Sequence, residues 1–127
     1  MIMDVEKQIA YWINGAISDL ETSDILIKNN KDLNGLFFCH LALEKALKAH
    51  FVKLHTAIPP RIHNLGVLLD RTGINVSKND DEFIGMIMNY QIEGRYPQYY
   101  PQIPSKAVVL DYLERTKKIV LWLKMKL

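Results

Sequence analysis

Apolar residues recur along most of this chain at steps of three and four, the spacing that gathers side chains on one face of an α-helix. From Val5 to Lys28 they are Ile9, Trp12 with Ile13, Ala16, Leu20 and Ile27, with Ser23 on the same face. Asp4 is placed to cap this helix and Asn29-Asn30 to stop it. A second helix is expected from Leu33 to His55, with Asp32 as its cap. Two stripes adjoin on it. Cys39, Ala42, Ala46 and Ala49 form a row of small side chains, and Leu36, His40, Leu43, Leu47, His50 and Leu54 form a larger row beside it. A helix apolar over so wide an arc belongs at the centre of a fold, and small residues let a neighbouring helix approach closely. Glu44, Lys45, Lys48 and Lys53 fall mostly outside both stripes. Glu44 and Lys48, four residues apart, read as a modest ion pair on a solvated face.

Pro59-Pro60 breaks the pattern. A short helix is expected from His63 to Asp70, with Leu65, Leu68 and Leu69 inward and Gly73 as the left-handed residue that ends it. A fourth helix is expected from Asp80 to Gln91, carrying Phe83, Ile84, Ile87 and Tyr90, with Ser77 or Asn79 as its cap. Residues 93–104 cannot be helical throughout, because Pro97, Pro101 and Pro104 each remove a donor and force the preceding residue extended. A last helix is expected from Ser105 to the end, with Val109, Leu113, Val120, Leu123 and Leu127 on one side. Lys117, Lys118, Lys124 and Lys126 crowd its C-terminal part, where the helix dipole favours cations. No segment alternates with period two. The expected fold class is all-α, an up-and-down bundle of four to five helices, in a single domain spanning 1–127.

Composition narrows the function more than the fold. A chain of 127 residues, 49% apolar and 24% charged, can bury a core without a disulfide or a metal. A net charge of +2 excludes a polybasic mode of binding but leaves room for a local basic patch. Cys39 is the lone cysteine, which excludes an intrachain disulfide and a cysteine-based zinc site and points to a cytoplasmic setting. The histidines are His40, His50, His55 and His63, in no ligand-like spacing, so neither a metal nor another cofactor is expected. No apolar run approaches a membrane span, and Asp4, Glu6 and Lys7 at the start do not suit a signal peptide.

No phosphate-cradling glycine loop and no nucleophile elbow occurs. Two segments carry chemistry. In Arg61-Ile62-His63-Asn64-Leu65, His63 near a helix start could bond an anion with Arg61 as a phosphate clamp, or His63 or Asn64 could simply cap the helix. In Arg95-Tyr96-Pro97, a guanidinium offers a planar fork to phosphate or carboxylate, and the tyrosines offer faces for a base. The alternative is a structural loop with Arg95 paired to Glu44 or Glu93. His40 and His50 are expected as core or interface histidines, and Tyr11, Trp12 and Trp122 as core or interface aromatics.

Three stretches together resemble the HEPN domain family (higher eukaryotes and prokaryotes nucleotide-binding). Residues 39–49, Cys-His-Leu-Ala-Leu-Glu-Lys-Ala-Leu-Lys-Ala, are similar to its second-helix pattern. Residues 59–65, Pro-Pro-Arg-Ile-His-Asn-Leu, are similar to its Pro-x-x-His-Asp/Asn-Leu turn. Residues 90–97, Tyr-Gln-Ile-Glu-Gly-Arg-Tyr-Pro, are similar to its Tyr-x-x-x-x-Arg-Tyr-Pro element. Order and spacing match over nearly the whole chain. The resemblance implies a helical bundle that commonly dimerises. It also implies an intracellular bacterial or archaeal protein, often paired with a minimal nucleotidyltransferase in a toxin–antitoxin-like system. Many members are metal-independent ribonucleases that use Arg-x(4–6)-His, and others bind nucleotides without cleaving RNA. None of Arg61, Arg71, Arg95 and Arg115 is followed by a histidine at that spacing. After Arg95 the positions hold Tyr100, Pro101 and Gln102, and a tyrosine hydroxyl with an ordinary pKa near ~10 is a poor base.

The expected function is therefore a small binding module for a nucleotide or an RNA segment, acting as a homodimer or beside a nucleotidyltransferase. Arg95 would clamp phosphate, Tyr96 would stack, Arg61 would assist, Lys48 would add long-range attraction, and His63 would be a pH-dependent donor. The alternatives are a ribonuclease with His63 as base, and a non-catalytic dimeric interaction module.

Overall fold

The computed structural model describes residues 3–127. Five α-helices follow one another: α1 Val5–Lys28, α2 Asp32–His55, α3 Leu65–Thr72, α4 Lys78–Ile87 and α5 Lys106–Met125. Short 3-10 turns occupy Met88–Tyr90 and Pro97–Tyr99, and no strand occurs among the described residues. The all-α bundle expected from the sequence is the architecture found.

The capping chemistry sets the boundaries. Asp4 accepts the Lys7 N–H and starts α1. Asn64 accepts the Val67 N–H at 3.0 Å, so α3 begins at Leu65 rather than at His63. Gly73 ends α3 in the left-handed conformation, at φ 71°. Ser77 accepts the Asp80 N–H and starts α4 at Lys78, earlier than expected, while its last turn tightens to 3-10 from Met88. Ser105 caps α5. At α2 the expectation fails. The cap position is Lys31 and makes no side-chain bond, whereas Asp32 is the first helical residue. The Asp32 carboxylate instead takes the Lys106 ammonium at 2.7 Å, and the same ammonium reaches the Ile27 carbonyl at the end of α1. One lysine of α5 thus closes the α1–α2 turn.

α2 is the central element, packed by α1, α3 and α5. Cys39, Ala42, Ala46 and Ala49 are wholly buried, as are Leu36, Leu43 and Leu47. Gly35 lies so close to α1 that a Cβ there would fall inside the envelope of Ile27 and 3.2 Å from the Ser23 carbonyl. The Ser23 hydroxyl fastens this crossing by donating to the Gly35 carbonyl at 2.8 Å. Leu54 departs from its stripe: it is 57% exposed, and Val52 is buried near that end instead. Tyr11 is likewise exposed, while Trp12 and Trp122 are half-buried against the core.

Three imidazoles on α2 bind main-chain carbonyls of other segments. His40 Nε2 donates to His63 O (3.1 Å), His50 Nε2 to Leu123 O (2.7 Å) and His55 Nε2 to Arg71 O (2.7 Å). The first and last of these bonds fix the course of the chain after α2. Residues 56–64 double back along α2, and α3 then runs beside α2 in the same direction. His63 is thereby returned to the middle of α2. No described helix is long and apolar enough to cross a membrane.

Candidate nucleotide-binding site

The middle of α2 presents His40, Glu44 and Lys48 at successive steps of four, which places them on one face. All three are buried, at 0%, 4% and 5% exposure, so the solvated charged edge expected from the sequence is wrong for Glu44 and Lys48. The reason lies in what covers them. α1 lays Trp12 over Lys48, with the ammonium 5.2 Å from the ring centroid, and the returning 56–64 segment covers Glu44 with His63.

The polar atoms of this face are linked in a chain. Lys48 Nζ donates to Glu44 Oε2 at 3.1 Å, and His63 Nδ1 donates to Glu44 Oε1 at 2.9 Å. Glu44 and Lys48 side chains are 6% and 7% exposed, but His63 is 57% exposed, so the chain runs from the interior to the surface and ends on an imidazole facing water. His40 adds a backbone restraint through the His63 carbonyl. Burial pushes the His40 imidazole below its ordinary value, with the Glu44 charge opposing it, and His40 stays neutral. Its Nδ1 has no protein partner among the described residues.

Lys48 therefore does not stand as a free cation. Paired with Glu44 and covered by Trp12, it projects little charge, and it belongs to the site through the carboxylate it holds. Arg61 is exposed two residues before His63, and Asn64 rather than His63 supplies the α3 cap.

Arg95 and Tyr96 lie on a separate loop. A turn closed by Arg95 N–H to Ile92 O at 3.1 Å carries Gly94 at φ 80°, a third-position geometry that suits glycine. The Pro97–Tyr99 3-10 turn follows, closed by Tyr99 N–H to Tyr96 O. This segment is ordered by its own bonds, yet its side chains face out: Tyr96 is 71% and Tyr99 66% exposed. Arg95 makes one long bond, Nη1 to Asn89 O at 3.5 Å. Neither Arg95 nor Arg61 lies within ion-pair distance of a carboxylate among the described residues, so the expected alternative pairing of Arg95 with Glu44 or Glu93 does not form.

The loop joins the His63 region at its base. Met88 Sδ accepts the Leu65 N–H at 3.3 Å, one residue before Asn89, which holds Arg95. The fold thus links His63, Glu44 and Lys48, leaves Arg61 exposed two residues before His63, and roots the Arg95–Tyr96 loop near this segment through Met88. A surface groove of about 500 Å³ lies elsewhere, between Leu69–Asp70 of α3 and Asn75, Lys78 and Asp81. The residues described above do not line it.

Sequence reasoning missed Glu44 as the hub. The spacing of four puts Glu44 and Lys48 on the same face as His40, but their burial comes from Trp12 and the returning 56–64 segment, which that spacing does not reveal.

Two long antiparallel helices, two short ones and a long closing helix, with paired polar residues on the second, make up a small all-α domain. The family model for the HEPN domain matches residues 9–126, and the chain belongs to that family. A solved structure, that of TT1696 from Thermus thermophilus, is similar in fold, with a TM-score of 0.78 over 94% of this chain and 98% of that one, at 21% identity. No curated protein matches the chain significantly.

Proposed function

We propose that this chain is a binding module for a phosphate-bearing ligand, a nucleotide or an RNA segment, working as a homodimer or with a minimal nucleotidyltransferase partner. The observation that carries the reading is the state of Arg95. Its guanidinium is exposed on a turn-stabilised, proline-stiffened loop and makes one long hydrogen bond. Five donors in a fixed fork suit a phosphate, and a segment ordered beforehand loses little entropy on binding. Tyr96, exposed beside it, offers a face for a base. Arg61 supplies a second cation near His63.

Titration with nucleotides and short RNA at low salt tests this. Wild type binds, and Arg95→Ala loses affinity while its melting temperature stays within about 1–2 °C, as for a surface substitution worth under ~0.5 kcal/mol. Affinity falls as salt rises, because phosphate contacts release counterions. Absence of binding by wild type, alone and with its partner, removes the reading. A large loss of stability in Arg95→Ala with no ligand in either form assigns the arginine to the scaffold.

A further inference from the structure

We propose that the end of the bundle where α2, α3 and α5 finish is a docking cleft for an acidic segment of a partner protein, one that carries a leucine or isoleucine among its carboxylates. The inference does not depend on phosphate binding, which concerns a different part of the molecule.

The three helix ends are tied together through α2. His50 Nε2 donates to Leu123 O and Lys53 Nζ to Lys126 O at the end of α5, and His55 Nε2 donates to Arg71 O in α3. Between these ends lies a cleft of about 400 Å³, lined by His50, Lys53, Leu54, Thr72, Ile74 and Lys126. It opens at the last residue of α3. The Arg95 loop is rooted through Met88 at the first residue of that helix, one helix length or about 10 Å away.

Two properties coincide in the cleft. It is apolar where Leu54, 57% exposed, meets Ile74. A Cβ on Gly73 would stand 3.6 Å from Leu54 Cδ2, so the Leu54 side chain lies over the end of α3. The rim is cationic. Lys53 uses one ammonium donor on Lys126 O and keeps two. Lys126 rests its own ammonium 4.6 Å from the Trp122 ring centroid. Arg71 and Lys124 fall in the last turns of α3 and α5. None of these four cations is within ion-pair distance of a carboxylate among the described residues, and no carboxylate lines the cleft. Helix dipoles account for cations at C-terminal ends, but not for an exposed leucine set beside them.

The occupant follows from this pairing. Spare ammonium donors call for carboxylates, and the Leu54–Ile74 wall calls for a branched apolar side chain. No aromatic ring lines the cleft, so a nucleic-acid base has no face to stack on. A second copy related by a two-fold axis would bring like charges together. The densest acidic run of this chain, Asp80-Asp81-Glu82, leads into Phe83 and Ile84, which are buried in its own core at 2% and 1% exposure.

Amide ¹H–¹⁵N spectra of the full chain test the proposal. The probe is a twelve-residue peptide of four Asp-Glu-Leu repeats, compared with the same peptide carrying serine for leucine and with a ten-nucleotide RNA. The leucine peptide is expected to shift the amides of Lys53, Leu54, Thr72, Ile74 and Lys126. The serine peptide is expected to bind about tenfold more weakly, the worth of burying part of one leucine. Leu54→Ser, a change at an exposed side chain, removes the preference for leucine. Lys126→Gln weakens both peptides and lessens the effect of salt on their binding. No shift at these amides overturns the proposal, and so does equal binding of the serine peptide. RNA moving the same amides at lower concentration than the peptide assigns this end to nucleic acid. Shifts there that grow with protein concentration alone assign it to a second copy. Either result overturns the acidic partner, while the phosphate reading, tested at Arg95, stands or falls separately.

Discussion

Truncating Glu44 strands a buried ammonium. On an exposed helix face the Glu44–Lys48 pair would contribute a few tenths of a kcal/mol. Here both residues are 5% exposed or less, with nitrogen and oxygen 3.1 Å apart. Breaking a buried pair by removing one partner costs about 3–5 kcal/mol, because the remaining charge is left uncompensated. The Trp12 face retains about 0.5–2 kcal/mol of attraction for Lys48, which puts Glu44→Ala near the lower end of that range, about 3 kcal/mol. At this chain length that is a fall in melting temperature of roughly 10–15 °C. Replacing both partners by apolar groups of similar volume, Glu44→Leu with Lys48→Met, is expected to leave stability within about 1 kcal/mol of wild type or to raise it. Urea unfolding followed by circular dichroism gives each difference, provided the slope with denaturant is unchanged. A loss below about 1 kcal/mol in Glu44→Ala would match a solvated pair and would refute the burial argument. The double variant is also useful for function, since it keeps the scaffold while removing the group that holds His63.

Three further outcomes follow from the packing and the charges. Burial pushes the His40 and His50 imidazoles below their ordinary 6.5, so each is neutral when folded and takes a proton more readily when unfolded. Stability is therefore full above pH 6.5 and falls as pH drops below it, by at most about 2.7 kcal/mol per pH unit for the two groups, and a melting temperature flat from pH 7.5 to 5 contradicts this. Gly35→Ala gains about 1 kcal/mol of helix propensity but forces α1 and α2 apart at the buried Ile27, an overpacking cost of about 1–3 kcal/mol, whereas Gly85→Ala meets nothing within 4 Å and keeps the gain. Thermal melts should thus show Gly35→Ala below Gly85→Ala, with Gly85→Ala above wild type. Lys106→Met removes the ammonium that closes the α1–α2 turn and should lower stability by about 1–2 kcal/mol in urea titrations, with equal stability counting against that role.

The helices are readable because their signals are local. The Asp4, Ser77 and Ser105 caps and the left-handed Gly73 each act within a few residues, and the apolar spacing of α1 and α5 marks their buried faces. Asp32 misleads because its partner, Lys106, lies far along the chain. The same holds for Glu44 and Lys48. Their burial depends on Trp12 from α1 and on a loop that turns back along α2, and spacing within one helix carries neither fact. Leu54 fits its stripe by periodicity, yet it is 57% exposed near the end of α2. The outward face of Arg95 is, from sequence, an open choice between a ligand and an internal acid, and the turn at Gly94 decides it.

The bonds from His40, His50 and His55 end on carbonyl oxygens at residues 63, 123 and 71. Every amino acid supplies a carbonyl, so these three receiving positions can change identity without loosening the joint, while the three donors cannot. Mutational tolerance should accordingly be lopsided, with the three α2 histidines constrained and the exposed receivers 63 and 71 permissive, while Leu123 is held by its own burial in the core. At residue 63 this separates two demands on a single position: the main chain serves the architecture, and the side chain is left available for selection to shape toward chemistry.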